Sequence, residues 1–461
     1  MRRGSLTILL VALVVTAPTV GWLTTGSEAA SSQGQRLCRG VPAAMVGTVG
    51  RDRLVGTPGR DVIAALSGYD MVSGRGGNDL ICGGEGADHL DGGPGDDELR
   101  GRGNGVTRGE PITHDGDWLT GGRGDDLLFG GGEQGKDFAD CRTVPAAVTA
   151  DLGLLRVSGP GIGADRVDGD VEVVIGSTYG DRLRGSARRD ELWGAAGDDR
   201  IAGLSGRDRL YGDLHVGATR HGNDRLRGGA GRDIIDGSLG RDRLWGGAAG
   251  DNITGGLGSD RVGSGRGADY VLADVYCCVP REGGDDVIIT GPGDDGVDSY
   301  WGDDVVRTGP GNDRVDDYGG RDTMRLGAGR DELTATFKSG ADISGGPGRD
   351  DALVDAVRRG GLTWDLGSGQ VTAPVKARLG GFEIVSATDY ADRITGTSAD
   401  EQFYVFAGND RVRARGGDDY IATYNGSDFL NGGNGTDRGH AGTDADTCTK
   451  VERTGGCEHV R

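Results

Sequence analysis

From Gly47 onward the chain places one aliphatic residue at every ninth position. The first series runs Leu54, Ile63, Val72, Ile81, Leu90 and Leu99 without a shift, and two residues before each stands Asp52, Asp61, Asp70, Asp79, Asp88 or Asp97. Helical amphipathicity would repeat every three to four residues and strand amphipathicity every two. A nine-residue period is neither, and marks an internal repeat that overrides window-by-window assignment. The frame resumes at Asp117, Asp126 and a degraded unit at Asp137, then at Asp181, Asp190, Asp199 and Asp208. It continues through Asp224, Asp233, Asp242, Asp251, Asp260 and Asp269, and through Asp286, Asp295, Asp304, Asp313, Asp322 and Asp331. A one-residue slip leads to Asp350, and a last series holds Asp392, Asp410, Asp419, Asp428, Asp437 and Asp446, with Glu401 at the aspartate position of one unit.

Taking Gly83 as position 1, each unit predicts a turn over positions 1 to 6 and a very short strand over 7 to 9. Glycine at 1, 2 and 4 permits the positive φ that other residues resist. Position 8 points inward while 7 and 9 point outward. Two units make one coil, and coils stack at about 4.8 Å. The expected fold is all-β: a parallel β-roll or β-helix solenoid of glycine-rich nonapeptide repeats, two per coil. Each coil touches only its neighbours, so stability is nearly one-dimensional. A helical reading fails because each interior glycine costs about 1 kcal/mol relative to alanine.

Composition agrees with a thin core. Glycine supplies 94 of 461 residues, and aromatic residues only 5%. Net charge is −21, from 72 acidic and 51 basic residues. That disfavours nucleic acid and anionic membranes as partners and favours cations. Stacking would bring position-6 carboxylates to strand spacing, where repulsion must be relieved by protonation or by a cation.

The stretch Gly83 to Arg100, GGEGADHLD-GGPGDDELR, resembles the hemolysin-type (RTX) calcium-binding nonapeptide repeat. The resemblance implies Ca²⁺ between turns of adjacent coils on each side, held by position-6 carboxylates and glycine-turn carbonyls, with folding coupled to binding. The candidate ligands it gives are Asp70, Asp79, Asp88, Asp97, Asp126, Asp233, Asp242, Asp251, Asp260, Asp269, Asp295, Asp313, Asp331, Asp350, Asp410, Asp419, Asp428 and Asp437. Units that lose their leading glycines, as at Gly56-Thr57 and Ser299-Tyr300, and the Glu401 unit match the motif less well. Arginine at position 5 or 7 offers an alternative: charge offset without metal, in a metal-free solenoid with a solvated acidic face. Family toxins typically carry a C-terminal secretion signal and many relatives an attached catalytic domain; here an N-terminal Sec signal and no attached catalytic domain are expected, which argues against toxin or protease activity.

The expected organisation is a signal peptide (1–29), a lead (30–46), repeat blocks at 47–142, 176–355 and 387–446, spacers at 143–175 and 356–386, and a C-terminal cap (447–461). Arg2 and Arg3, the apolar run Leu6 to Val15 and Ser27-Glu28-Ala29 read as a secretory signal cut near Ala29. An uncleaved anchor is the alternative, though Pro18 and Gly21 interrupt a run short for a span. The mature chain is expected to be secreted, with calcium ions and a cell surface or extracellular matrix as the partners this reading offers. The two spacers echo each other, with Asp365 in the place of Asp151 and Glu383 in that of Glu172. Seven cysteines suit an oxidising compartment. Pairings Cys448–Cys457 and Cys38–Cys82 are expected, with Cys141, Cys277 and Cys278 unassigned. Motifs for zinc proteases, lipases and phosphate loops are missing, and His89, His114, His215, His221, His440 and His459 are scattered. No enzyme activity is therefore expected; the alternative is a site in the loops 101–117 or 270–285, or in the spacers.

Overall fold

The computed structural model describes residues 37–101, 116–131, 135–214, 221–274, 283–354, 360–373, 375–442, 444–456 and 459–460. The signal segment, Cys277, Cys278, Cys457, His114, His215 and, within the loops 101–117 and 270–285, residues 102–115 and 275–282 lie outside them. The described elements are all β-strands.

Each strand pairs in parallel with the strand two units away, so two units make one coil. On one face, here sheet 1, Ile63 aligns with Ile81 and Ile81 with Leu99. On sheet 2, Val72 aligns with Leu90 and Leu90 with Leu119. The position-8 residues of both sheets meet in one continuous core and are almost wholly buried. Burying such a side chain contributes about 1.5–3 kcal/mol. Many strands are longer than positions 7 to 9. Leu80–Glu85 and His89–Pro94 have 6 residues each, because the first glycines of the next unit extend the ladder before the chain turns.

The spacers are woven into the roll, not laid upon it. Strands Thr149–Asp151, Arg156–Gly159 and Gly163–Val167 form an antiparallel meander inside sheet 1. Its last strand joins Leu127–Phe129 and its first joins Arg182–Arg184, both in parallel. Thr363–Asp365, Gln370–Ala373 and Ala377–Gly380 repeat the arrangement between Asp342–Ser344 and Arg393–Thr395. Sheet 2 passes both places without added strands: Asp137–Asp140 pairs directly with Val171–Ile175, and Asp351–Val354 with Ile384–Ser386. The meanders feed Val148, Ala150, Val157, Trp364 and Leu379 into the common core, and the Trp364 indole donates to the Leu379 carbonyl at 3.1 Å.

Both ends extend the repeat. Within the expected lead, Leu37–Cys38 and Val41–Pro42 form a hairpin stapled to sheet 1 by the Cys38–Cys82 disulfide. Met45–Val46 already pairs with the roll at Ile63 and Ala64. In the expected cap, Thr447–Thr449 and Arg453–Gly455 continue sheets 1 and 2. Cys448 is disulfide-bonded. Cys141 is a free, buried thiol whose pKa is pushed up by burial. Among the described residues no helix is long and apolar enough to cross a membrane.

Candidate metal centre

Strand alternation turns position 6 inward together with position 8. The aspartates thus form two rows, one along each edge where turns connect the sheets. Asp88 and Asp97 fall on opposite edges, as their successive units require. In the Asp88 row, the Asp70 amide donates to Asp88 Oδ1 at 2.9 Å and the Asp88 amide to Asp117 Oδ1 at 2.8 Å. In the other row, the amides of Asp79 and Asp97 donate to Oδ1 of Asp97 and Asp126, both at 2.8 Å. Both ladders cross the insertion after Gly101 unbroken.

The remaining candidates extend the same rows. Asp233, Asp251, Asp269, Asp295, Asp313, Asp331 and Asp350 follow one another in the Asp88 row, and Asp419 and Asp437 resume it. Asp242 and Asp260, then Asp410 and Asp428, belong to the Asp97 row. Glutamates carry the Asp88 row across each spacer: the amides of Asp137 and Asp350 donate to Glu172 and Glu383.

Every one of these candidate aspartates has a buried Oδ2 that accepts no hydrogen bond. A buried carboxylate oxygen left without a partner is costly. Burial first, then neighbouring carboxylates, raise the pKa of Asp88 and Asp97 to about 7, against the lowering pull of the backbone amide each accepts. Asp117 and Asp199 rise to about 9 for the same reasons. Arginine relieves the rows only slightly: Arg188 and Arg232 pull down the pKa of Asp190 and Asp251, each less than burial raises it. Arg184, Arg314, Arg321 and Arg325 pair with Asp151, Asp316, Asp303 and Asp342 outside the rows.

The glycines have two separate duties. Most glycines at position 2 and many at position 4 adopt positive φ, as at Gly84 (118°) and Gly86 (121°), whereas Gly50 and Gly59 at position 4 do not. Position 1 does not, contrary to expectation. Its glycine leaves room where the turn's own Oδ2 and a backbone carbonyl of the next coil approach. A methyl on Gly237 would lie 2.7 Å from Asp242 Oδ2 and 2.5 Å from the Gly255 carbonyl oxygen. The same cradle stands beside Asp79, Asp97, Asp233, Asp251, Asp260, Asp350 and Asp437, while at Gly83 and Gly121 the nearest atoms all belong to Asp88 and Asp126 themselves. Eight candidates have a side chain at position 1 instead: Asp70 (Ala65), Asp269 (Ser264), Asp295 (Thr290), Asp313 (Thr308), Asp331 (Leu326), Asp410 (Val405), Asp419 (Ala414) and Asp428 (Thr423).

A buried, unpaired carboxylate oxygen beside a carbonyl fits a hard cation that takes oxygen ligands. Among the described residues no three His, Cys, Asp or Glu side chains converge as a ligand set. Backbone carbonyls would have to complete any coordination, which suits the glycine turns.

Six turns solve the same problem differently. Thr48, Thr57, Ser177, Ser186, Thr388 and Thr397 occupy position 2. Their amides donate to the position-6 carboxylate, at 2.6 Å from Thr57 to Asp61 Oδ2 and 2.5 Å from Ser186 to Asp190 Oδ2. The hydroxyls of Thr57 and Ser186 add bonds of 3.0 Å to the same oxygens. Each hydroxyl in turn accepts the amide two residues on, as from Gly59 and Arg188. Asp52, Asp61, Asp181, Asp190, Asp392 and Glu401 are thereby satisfied within their own turns.

Sequence reasoning missed other features. Asp199, Asp208, Asp224, Asp286, Asp304 and Asp322 share the buried, unpaired Oδ2 of the candidates. Asp274 and Asp317, at positions 2 and 1, add buried carboxylates outside the frame. At position 5, exposed Asn78, Asp96 and Asp125 form an outer ladder whose amides donate in the opposite direction. The recurring Asp-Asp pairs were its signal. A groove of about 600 Å³ separates the N-terminal hairpin from this ladder, lined by Arg39, Arg60, Asn78, Asp96 and Asp125.

A family model described as the RTX calcium-binding nonapeptide repeat matches residues 46–81, 73–104, 115–133, 175–210, 222–252, 236–271, 282–306, 298–333, 379–412, 404–439 and 414–448. No curated protein matches the chain.

Proposed function

Since the chain belongs to the RTX calcium-binding nonapeptide repeat family, we propose that it is a secreted solenoid that completes its fold on meeting extracellular calcium and serves a structural or surface-contact role. The observation that carries this reading is the buried, unpaired Oδ2 repeated along both edges beside the position-1 glycine. Turns that combine both features are the best calcium holders: Asp79, Asp88, Asp97, Asp126, Asp233, Asp242, Asp251, Asp260, Asp350 and Asp437, joined by Asp117, Asp199, Asp208 and Asp224. The eight candidates with a side chain at position 1 rank below them.

Bound calcium would supply the positive charge that the rows lack. The chain's own residues supply the rest. Position-8 side chains hold the coils together, backbone amides fix Oδ1, and Oδ2 is left to the metal. The repeat fold supports a non-enzymatic role, and the acidic surface suits contacts bridged by cations. Secretion rests on the Arg2-Arg3 and Leu6 to Val15 segment.

Calorimetric calcium titration of the mature chain, followed by circular dichroism, tests the reading. Millimolar calcium should increase β signal and chelator should reverse it. Asp88→Ala should lower the number of bound ions. An unchanged spectrum, or an unchanged ion count in the variant, refutes the proposal or its ligand assignment respectively.

A further inference from the structure

The six hydroxyl-capped turns are not scattered. They fall in consecutive pairs, one turn on each edge, and each pair completes one coil. Thr48 and Thr57 open the first repeat block, Ser177 and Ser186 the second, and Thr388 and Thr397 the third. Oδ2 is hydrogen-bonded inside the turn at Asp52, Asp61, Asp181, Asp190 and Asp392, and Thr397 holds both oxygens of Glu401. The turns that follow in each block, at Asp70, Asp199 and Asp410, have the unpaired oxygen.

What precedes each pair matters equally. Before the first stands the disulfide-stapled hairpin. Before the second and third stand the antiparallel meanders, whose first strands pair directly with Arg182–Arg184 and Arg393–Thr395 of the capped coils. The amides of Val148 and Leu362 also donate to Asp181 Oδ1 and Asp392 Oδ1. Antiparallel meanders are local in sequence and close quickly, whereas parallel stacking pays loop closure first. A repeat array grows from any segment that is stable by itself, each unit templating the next.

We propose that the three capped coils, each with the antiparallel element before it, fold without metal and serve as nuclei from which the calcium-dependent rows grow. The inference rests on the calcium reading above for what grows, and on the hydroxyl caps for what starts. Calcium then controls how far each block extends, not whether folding begins.

Hydrogen exchange on the full mature chain, with chelator and then with calcium, tests this. In chelator, peptides spanning 47–63, 148–192 and 362–403 should stay protected while 225–272 exchanges freely; calcium should protect all of them. Ser186→Ala should speed exchange of 176–192 in chelator roughly three- to thirtyfold, as loss of a hydroxyl cap does. Ser186→Thr should restore it, and calcium should mask the difference. If the capped coils exchange as fast as 225–272 in chelator, yet calcium protects everything, the nuclei are refuted and the calcium reading stands. Unchanged exchange in Ser186→Ala also refutes the nuclei. If 225–272 is equally protected with and without calcium, the calcium reading falls and the proposed division of labour with it.

Discussion

Removing calcium should make the roll depend on acid, with protons replacing the metal along the rows. Asp88 sets the scale: burial, with its neighbouring carboxylate adding less, raises its pKa from 3.8 to about 7. A difference of about 3 in pKa, at ~1.4 kcal/mol for each tenfold change in proton affinity, makes ~4 kcal/mol for this group. Asp117 and Asp199 move further, to about 9. In each the folded value lies above the unfolded one. The stabilisation is therefore complete below about pH 4 and lost as pH rises through about 7 for Asp88 and 9 for Asp117 and Asp199. Two or three such groups rival the ~5–15 kcal/mol margin of a typical domain. The regular coils of the chelated protein should thus be folded in mild acid and unfolded at alkaline pH, with calcium restoring them there. Circular dichroism of chelated protein across this range, with hydrogen uptake followed in parallel, is the assay. Full β signal at pH 9 without metal, or unfolding on acidification from neutral pH, would refute the argument.

Four more outcomes follow from the packing. Gly84→Ala places a methyl against the Leu66 carbonyl at a φ of +118°, so denaturation in calcium should show a loss of ~2 kcal/mol or more. Gly50→Ala meets nothing within 4 Å and should be near neutral. Leu210→Ala, at a fully buried position, should cost about 2–5 kcal/mol, with faster exchange in adjacent coils; equal loosening of the third block would contradict one-dimensional stability. Replacing both Cys38 and Cys82 by serine releases a link across 44 residues, worth about 4 kcal/mol by loop closure. The measurable result should be faster exchange at 37–46 with the second block unaffected.

The nine-residue frame was enough to read the coil, the inward position 8 and both aspartate rows, because period-2 geometry sends positions 6 and 8 the same way. It did not reveal why position 1 is glycine. Gly83 has ordinary φ, and its duty is to leave Asp88 Oδ2 uncrowded, which only the fold shows. Thr57 reads as an eroded glycine, since a hydroxyl cap depends on the backbone path of its own turn. The meanders kept the VTADLG and LTWDLG echoes, yet antiparallel strands have no nine-residue phase to reveal where they insert. Glu172 and Glu383 were legible as equivalents; that they continue the Asp88 row was not, because their partners Asp137 and Asp350 lie across an insertion.

Each meander adds two strand spacings to sheet 1 and none to sheet 2. At about 4.8 Å per strand, one surface outgrows the other by about 10 Å at each of two places. Coils on either side must fan apart over sheet 1 to stay packed across the core. The expected consequence is a molecule of three stretches joined by two elbows, with sheet 2 on the inside of each bend. Insertions that look like interruptions of a linear code set its curvature.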